Sequence, residues 1–306
     1  MTEGYGYGKV ILFGEHFVVY GIPAIAAGIS RKTVATAERG TAPGVTITDN
    51  RPAAPGYKEE YVQQQKDSVE RMKPFLGVDF VKNPFRITLA GDLYCASGIG
   101  ASAASCVAMA RAISGLYNLK LSDEKVNAAA LEGDKAYAGN PSGIDNTAST
   151  YGGLIYYIKG APLERPKLGK PLSIVMANSG ITTQTKTAVD RVRQSRETEP
   201  DKYAKLFKEA EALIADARKA LEAGDSVTVG RLMKKNHSLL QQMGVSCDKL
   251  DNLVAAAEKA GAIGAKMTGG GMGGYMFALV RPDDQDRIAD ALMKAGAQHT
   301  IKAEIR

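Results

Sequence analysis

The sequence predicts an α+β protein of two domains, and three observations carry the prediction. At 306 residues the chain is longer than a single hydrophobic core usually serves, the limit lying at roughly 250 to 300 residues. Short β-branched segments alternate with longer stretches of helical periodicity, and the C-terminal part runs strand, helix, strand. Gly160, Pro162, Pro166, Gly169 and Pro171 crowd together without apolar periodicity. They place the boundary so that residues 1–165 form the first domain and 166–306 the second.

In the first domain, residues 9–13, 33–38, 45–48, 86–90 and 154–158 read as strands from their β-branched content and their bounding glycines, prolines or charges. Residues 59–76 suit a polar helix and 101–117 an apolar, largely buried one. A further helix spans 122–137. Ser122 caps it, Lys125 stands where a capping box would have Glu or Gln, and Gly139 and Pro141 stop it. In the second domain a strand at 172–177 precedes two helices. Tyr203, Leu206, Ala210, Leu213, Ala217 and Leu221 share a face of one, and Val229, Leu232, Met233, Leu239, Leu240 and Met243 nearly do so in the other. A third helix starts at Ser246, strands follow at 265–268, 275–280 and 299–305, and a helix at 284–295 separates the last two.

Composition narrows the function. The 39 basic residues exceed the 33 acidic ones by a net charge of +6, but they are interspersed with acids, as across 202–222, and form no arginine-rich block. That describes a solvated surface, mildly attractive to small anions, rather than a nucleic-acid interface. Cys95, Cys106 and Cys247 are too few and too far apart for a disulfide framework or a zinc cluster, so reduced thiols and a cytoplasmic location are expected. The N-terminus lacks the basic and apolar regions of a secretory signal. Residues 10–29 are apolar over much of their length, yet Glu15, His16, Tyr20 and several glycines argue against a membrane span.

Four segments carry candidate chemistry. Gly98-Ile-Gly-Ala-Ser-Ala-Ala-Ser105 leads directly into an apolar helix. Small residues let backbone N–H groups approach an anion, and a helix N-terminus adds partial positive charge; the bland alternative is close packing. Gly8-Lys-Val-Ile-Leu-Phe-Gly-Glu-His16 places a lysine, a glutamate and a histidine around a strand. On their own, Lys9 would snorkel into solvent and His16 would be a packed core residue. Asn140-Pro-Ser-Gly-Ile-Asp145 sets an aspartate in a glycine-containing turn, where it either caps the next element or serves chemistry. Lys266-Met-Thr-Gly-Gly-Gly-Met-Gly-Gly274 brings five glycines after a short strand, with Thr268 as a hydrogen-bond donor to a ligand; a flexible connection is the alternative.

In this order the four segments resemble the GHMP kinases, a family of small-molecule kinases, over nearly the whole chain. The phrase Gly14-Glu-His-Phe-Val-Val-Tyr-Gly21 is most similar to the branch that acts on mevalonate. The resemblance implies an N-terminal domain like domain 2 of ribosomal protein S5, a ferredoxin-like C-terminal domain and an active site between them. It implies ATP as co-substrate, with its phosphates on Gly98, Ile99, Gly100, Ala101, Ser102 and Ala103, and Mg²⁺ on Ser102 and an acidic residue. Asp145 matches the family's catalytic aspartate and Lys9 the lysine of its first motif, a cation that keeps the aspartate ionised and favours loss of the acceptor's proton. Two departures stand out. Asp134 occupies the position of the metal-binding glutamate, one methylene shorter; Glu132 is set aside because two residues along a helix turn a side chain to nearly the opposite face. Ala101 stands where many members have serine.

Glu15 and His16 are expected at the acceptor's hydroxyl and carboxylate region, with Thr268, Tyr151, Thr183, Thr185 and Lys186 lining the pocket. Asn50 to Tyr57 is the candidate adenine segment. The implied reaction is phosphorylation of the 5-hydroxyl of mevalonate, with neither nucleic acid nor a membrane as partner and a homodimer left open. The alternatives are another acceptor of the family (phosphomevalonate, homoserine or a sugar) and a non-catalytic binding protein of the same fold.

Overall fold

The computed structural model describes residues 1–95, 98–181 and 185–306, with the backbone alone at 185 and 186. Tertiary contacts group the chain into two compact units. Met1–Lys9 with Gly28–Gly152 form the first, and Val10–Ala27 with Gly153–Arg306 the second. This partition assigns an N-terminal excursion to the second unit, which a single cut at 165/166 does not.

The first sheet runs in the order β1 (Thr2–Phe13), β2 (Ala24–Arg39), β4 (Phe85–Gly91), β3 (Val45–Asp49), and β5 (Leu154–Tyr157) pairs with the start of β2. β2 and β4 are antiparallel, β3 and β4 parallel. β1 and β2 each continue from one unit into the other. β1 is much longer than its β-branched segment because Gly4 and Gly6 let helix α3 (Ala101–Leu116) lie directly on the strand. A Cβ at Gly4 would stand 2.4 Å from the Ala108 carbonyl oxygen, and one at Gly6 2.3 Å from that of Ala104. Such close approach is what glycine in a strand permits.

Around α3 pack α2 (Val62–Leu76), α4 (Asp123–Ala138) and α5 (Ile144–Tyr151), with α1 (Tyr57–Glu60) a single turn before α2. The helix expected at 59–76 is therefore interrupted at Tyr61, and α5 replaces an expected turn. Ser122 caps α4 by accepting from the Lys125 N–H, as the sequence indicated. The core of this unit joins Met72, Phe85, Ile87, Leu89, Val107 and Ile113 between the sheet and the helices.

The second unit holds an antiparallel sheet in the order β7 (Gly264–Met267), β8 (Tyr275–Val280), β6 (Leu172–Asn178), β9 (His299–Ile305). Counted within the sheet this order is 2-3-1-4, the ferredoxin-like arrangement that the family resemblance implied. Its helices are α6 (Thr185–Thr198), which periodicity had not indicated, then α7 (Pro200–Ala223), α8 (Ser226–Gln242), α9 (Asp248–Lys259) and α10 (Gln285–Lys294). Among the described residues no helix is long and apolar enough to cross a membrane.

Candidate active site

In the first unit the loop before α3 is shaped by a lysine. Gly98 and Gly100 lie in the left-handed region at φ 103° and 71°. A Cβ at Gly100 would come within 2.7 Å of Lys9 Cγ. Glycine at 100 is thus required both by backbone and by the side chain beneath it. The Lys9 N–H donates to the Ile99 carbonyl at 2.9 Å, fixing the loop to β1. α3 begins without a side-chain cap. The amides of Ala101, Ser102 and Ala103, which have no intrahelical acceptor, therefore form a ready anion site at the positive end of the helix.

Lys9 does not snorkel. Its side chain is 4% exposed, and Nζ lies 3.0 Å from Oδ1 of Asp145, whose own side chain keeps 35% exposure. Asp145 is the second residue of α5, after Gly143 at φ 91°, so a helix rather than a turn holds the carboxylate. Asp134 projects from α4 and is buried. Burial, and next the charge of Asp145, push its carboxyl up to about 6, while Ser102 and Lys9 pull the other way. Oδ1 of Asp134 is buried with no hydrogen-bond partner among the described residues, and Glu132 instead pairs with Lys135 at 2.5 Å. A buried carboxylate oxygen without a donor beside a serine hydroxyl is a hard-oxygen pair of the kind Mg²⁺ takes when phosphate and water complete its shell. Among the described residues no cluster of three or more His, Cys, Asp or Glu forms a fuller metal cage.

A cavity of about 200 Å³ adjoins Ser102, lined by Asp49, Arg51, Tyr57, Tyr61, Ser105 and Tyr137 among others. Arg51 and Tyr57 belong to the segment expected to receive adenine. Arg51 was not singled out by the sequence reading, yet it organises this wall. Its guanidinium grips Asp49 through Nε at 2.9 Å and Nη2 at 2.5 Å, and donates to the Ala101 carbonyl at 3.3 Å and to the Ser105 hydroxyl.

In the second unit the first and third motifs are cross-linked. The Thr268 hydroxyl accepts from the Ile11 N–H and donates to the Ile11 carbonyl, both at 3.0 Å. Its one hydrogen is spent on the backbone, so the ligand donation expected of Thr268 is not what the structure shows. Lys266, with no exposed side-chain surface, donates to the Glu15 carboxylate and, at 2.7 Å, to the Met267 carbonyl. Glu15 is equally enclosed.

His16 lies 2.8 Å through Nε2 from the Gly270 carbonyl. A carbonyl only accepts, so Nε2 carries the hydrogen and Nδ1 offers a lone pair. Burial lowers the ring's pKa, against the pull of the hydrogen bond to Gly270. The residue also sits at φ 61°, a strained conformation for a side chain other than glycine. The glycine loop is tied down rather than flexible. Met272 N–H donates to Val245 O at 2.7 Å and Gly274 N–H to Ile181 O at 2.8 Å, and a Cβ at Gly271, where φ is 72°, would stand 2.1 Å from Val245 O.

Tyr151 ends α5, about 9 Å along the helix axis from Asp145, and is half-buried. Thr183 and the side chains of Thr185 and Lys186 lie outside the described residues.

Phosphate-ready amides, a lysine–aspartate pair and an acid beside a serine define a small-molecule kinase, and comparison with known proteins agrees. The model for the GHMP kinases N terminal domain matches residues 61–153, and that for GHMP kinases C terminal matches residues 217–298. The chain belongs to the GHMP kinase family. Its relatives include the mevalonate kinase of Thermococcus sibiricus, 35% identical over 96% of this chain and 93% of that one, and the mevalonate kinase of Pyrococcus horikoshii, 34% identical over 94% and 91%. Among solved structures, L. major mevalonate kinase in complex with R-mevalonate superposes with a TM-score of 0.96 at 38% identity, covering 100% of this chain and 96% of that one.

One group behind the second-unit cluster makes stability depend on acid. His237 accepts from the Met267 N–H through Nδ1 at 3.4 Å, and its Nε2 lies 3.2 Å from Asp251. Burial lowers its pKa from 6.5 to about 4, against the pull of Asp251. Between those values the unfolded chain binds the extra proton, so stability is full above pH 6.5 and falls as the pH drops toward 4. The expected loss from this group is about 3 kcal/mol. Urea unfolding at pH 7 and pH 4 should show a smaller acid loss in His237→Gln than in the wild type; equal losses would remove His237 from the account.

Proposed function

We propose that this chain transfers the γ-phosphoryl group of ATP to the 5-hydroxyl of mevalonate. The observation that carries the chemistry is the Lys9–Asp145 pair, which joins an enclosed ammonium to a carboxylate with an open edge. Phosphoryl transfer needs little covalent help; it needs an aligned hydroxyl, a place for its proton and positive charge around the transferring group. Asp145 accepts or electrostatically favours departure of the hydroxyl proton, and Lys9 holds that carboxylate in place and adds positive charge. The amides of residues 98–103 cradle the phosphates, and the cavity beside Ser102, with Arg51 and Tyr57 in its wall, receives the nucleoside.

Ser102 and Asp134 would hold Mg²⁺, which when bound supplies positive charge to the phosphate oxygens. On the acceptor side His16 makes the contact, with Glu15 behind it. Relatives named mevalonate kinase over nearly the full chain, and the similarity to a structure in complex with R-mevalonate, support the choice of acceptor. The proposed partners are therefore mevalonate and ATP, with neither nucleic acid nor a membrane. Free cysteines at 95, 106 and 247 support a cytoplasmic location. The division into domains 1–165 and 166–306 is kept as a proposal.

Purified protein should phosphorylate mevalonate with ATP and show little turnover with phosphomevalonate, homoserine or galactose, in a coupled ADP-release assay. Asp145→Asn removes the charge at nearly constant shape and should lower kcat by about 10²- to 10⁴-fold while ATP still binds. Preference for phosphomevalonate would move the chain to another branch, and near-normal turnover of Asp145→Asn would remove that residue from the mechanism.

The metal assignment separates two acids on one helix. Asp134→Ala should raise the Mg²⁺ concentration needed for half-maximal activity by about tenfold or more, whereas Glu132→Ala should change it little. The reverse pattern in a magnesium titration would show that the helix face was chosen wrongly.

A further inference from the structure

Helix α5 carries Asp145, yet little in its own sequence makes it a firm support. It has eight residues and no side-chain N-cap, and its buried side chains include Asn146, Thr147, Ser149 and Thr150. These are poor helix formers, and away from water they need hydrogen-bond partners. A helix this short does not stand by itself, so its orientation is set by what it touches. Three of those four side chains meet one residue of α4. Asn146 Nδ2 donates to Asn127 Oδ1 at 2.6 Å and to the Asn127 carbonyl at 3.3 Å. The Thr150 hydroxyl donates to the same Oδ1, and Asn127 Nδ2 donates to the Thr147 hydroxyl, both at 3.4 Å. Thr147 spends its own hydrogen on the carbonyl of Gly143, the residue before α5, at 2.6 Å.

Stability alone does not explain this clasp. Asn146 Oδ1 is buried with no hydrogen-bond partner among the described residues, and the amide cannot turn round to relieve it, because the Asn127 carbonyl only accepts. An apolar pair would avoid that cost. What the clasp does fix is the roll of α5. Successive residues of a helix point about 100° apart, so locking Asn146 sets the direction in which Asp145 leaves the axis. Lys9 holds Asp145 at its tip, and a single contact there leaves the helix free to turn about it. Asn127 also precedes Asp134 by seven residues, about 10 Å along one face of α4. We propose that Asn127 is a positioning residue, which grips Asn146 and thereby fixes the direction of the Asp145 carboxylate relative to Lys9 and Asp134. This rests on the reading of Asp145 as the acting carboxylate of a kinase and deepens it by naming what holds that carboxylate in line.

The test compares the full-length wild type with Asn127→Leu, Asn146→Leu and the double variant Asn127→Leu/Asn146→Leu. It reads kcat and the KM values for mevalonate and ATP by ADP release, and Tm by calorimetry. Each single variant strands a buried amide and should lower both Tm and kcat. The double variant replaces both amides by apolar groups of similar shape and should recover much of the lost Tm. Its kcat should nevertheless stay about tenfold or more below wild type with both KM values within about twofold, because alignment is lost and binding is not. In an Asp145→Asn background the double substitution should lower kcat by less than about twofold further, since it acts through that carboxylate. A crystal structure of the double variant should show Asp145 turned, its nearer oxygen beyond about 4 Å from Lys9 Nζ. Should the leucine variants fail to fold, Asn127→Ser, too short to reach Asn146, takes their place with the same split between kcat and KM.

Turnover that recovers together with Tm in the double variant would reduce Asn127 to a structural residue and overturn the proposal. So would a loss confined to KM, or an Asp145 that has not moved. An undiminished effect in the Asp145→Asn background would show that Asn127 acts by another route, with the same result. Near-normal turnover of Asp145→Asn itself would overturn the reading on which the proposal rests. Wild-type protein that phosphorylates no acceptor would overturn the reaction reading alone, and the position of Asp145 in the double-variant structure would still judge Asn127.

Discussion

A lysine ammonium taken out of water must meet a carboxylate, and much of this structure follows from meeting that demand twice. Lys9 and Lys266 are both enclosed, and each finds an acid far away in the sequence, Asp145 and Glu15. The cost of leaving either charge alone is several kcal/mol, more than most single contacts return. Each pair therefore fixes the segments that carry it. Lys9 fixes the start of α5 against β1, and the loop at Gly100 must pass over its side chain without a Cβ. Lys266 fixes the turn just past the end of β1.

The two pairs differ in how much water reaches them, and the difference suits different tasks. Asp145 keeps an edge open to solvent. Glu15 has no such edge. Asp134 shows a third solution. Buried beside Asp145, with one oxygen lacking a hydrogen-bond partner among the described residues, its carboxyl is pushed up to about 6.

The legible parts of the sequence were those with a local cause. Ser122 announced its helix because a cap acts within three residues. The run from Ala101 announced α3 because small and apolar residues fill nearly its whole length. Helix α6 was missed because its sequence is strongly polar, and α5 because eight residues after a glycine give periodicity little to work on. The alternating Gly4 and Gly6 in a tyrosine-rich segment hid the first half of β1. Their purpose, room for α3, exists only after folding. Arg51 was equally silent, since nothing in its neighbourhood shows that it will reach both Asp49 and the start of α3.

By itself the sequence determined the α+β class, the glycine-containing segment before α3 and the residue types of the candidate chemistry, because propensity, capping and glycine chemistry are properties of short segments; the ferredoxin-like arrangement of the second half was implied by the family resemblance. The tertiary structure decided which partner each charged group received. It set Asp134 rather than Glu132 toward Ser102 and Asp145, turned Thr268 inward to Ile11, and joined Glu15 to Lys266. Those outcomes depend on desolvation, and a residue's distance from water is not written in its neighbours along the chain but in whatever folding packs against it.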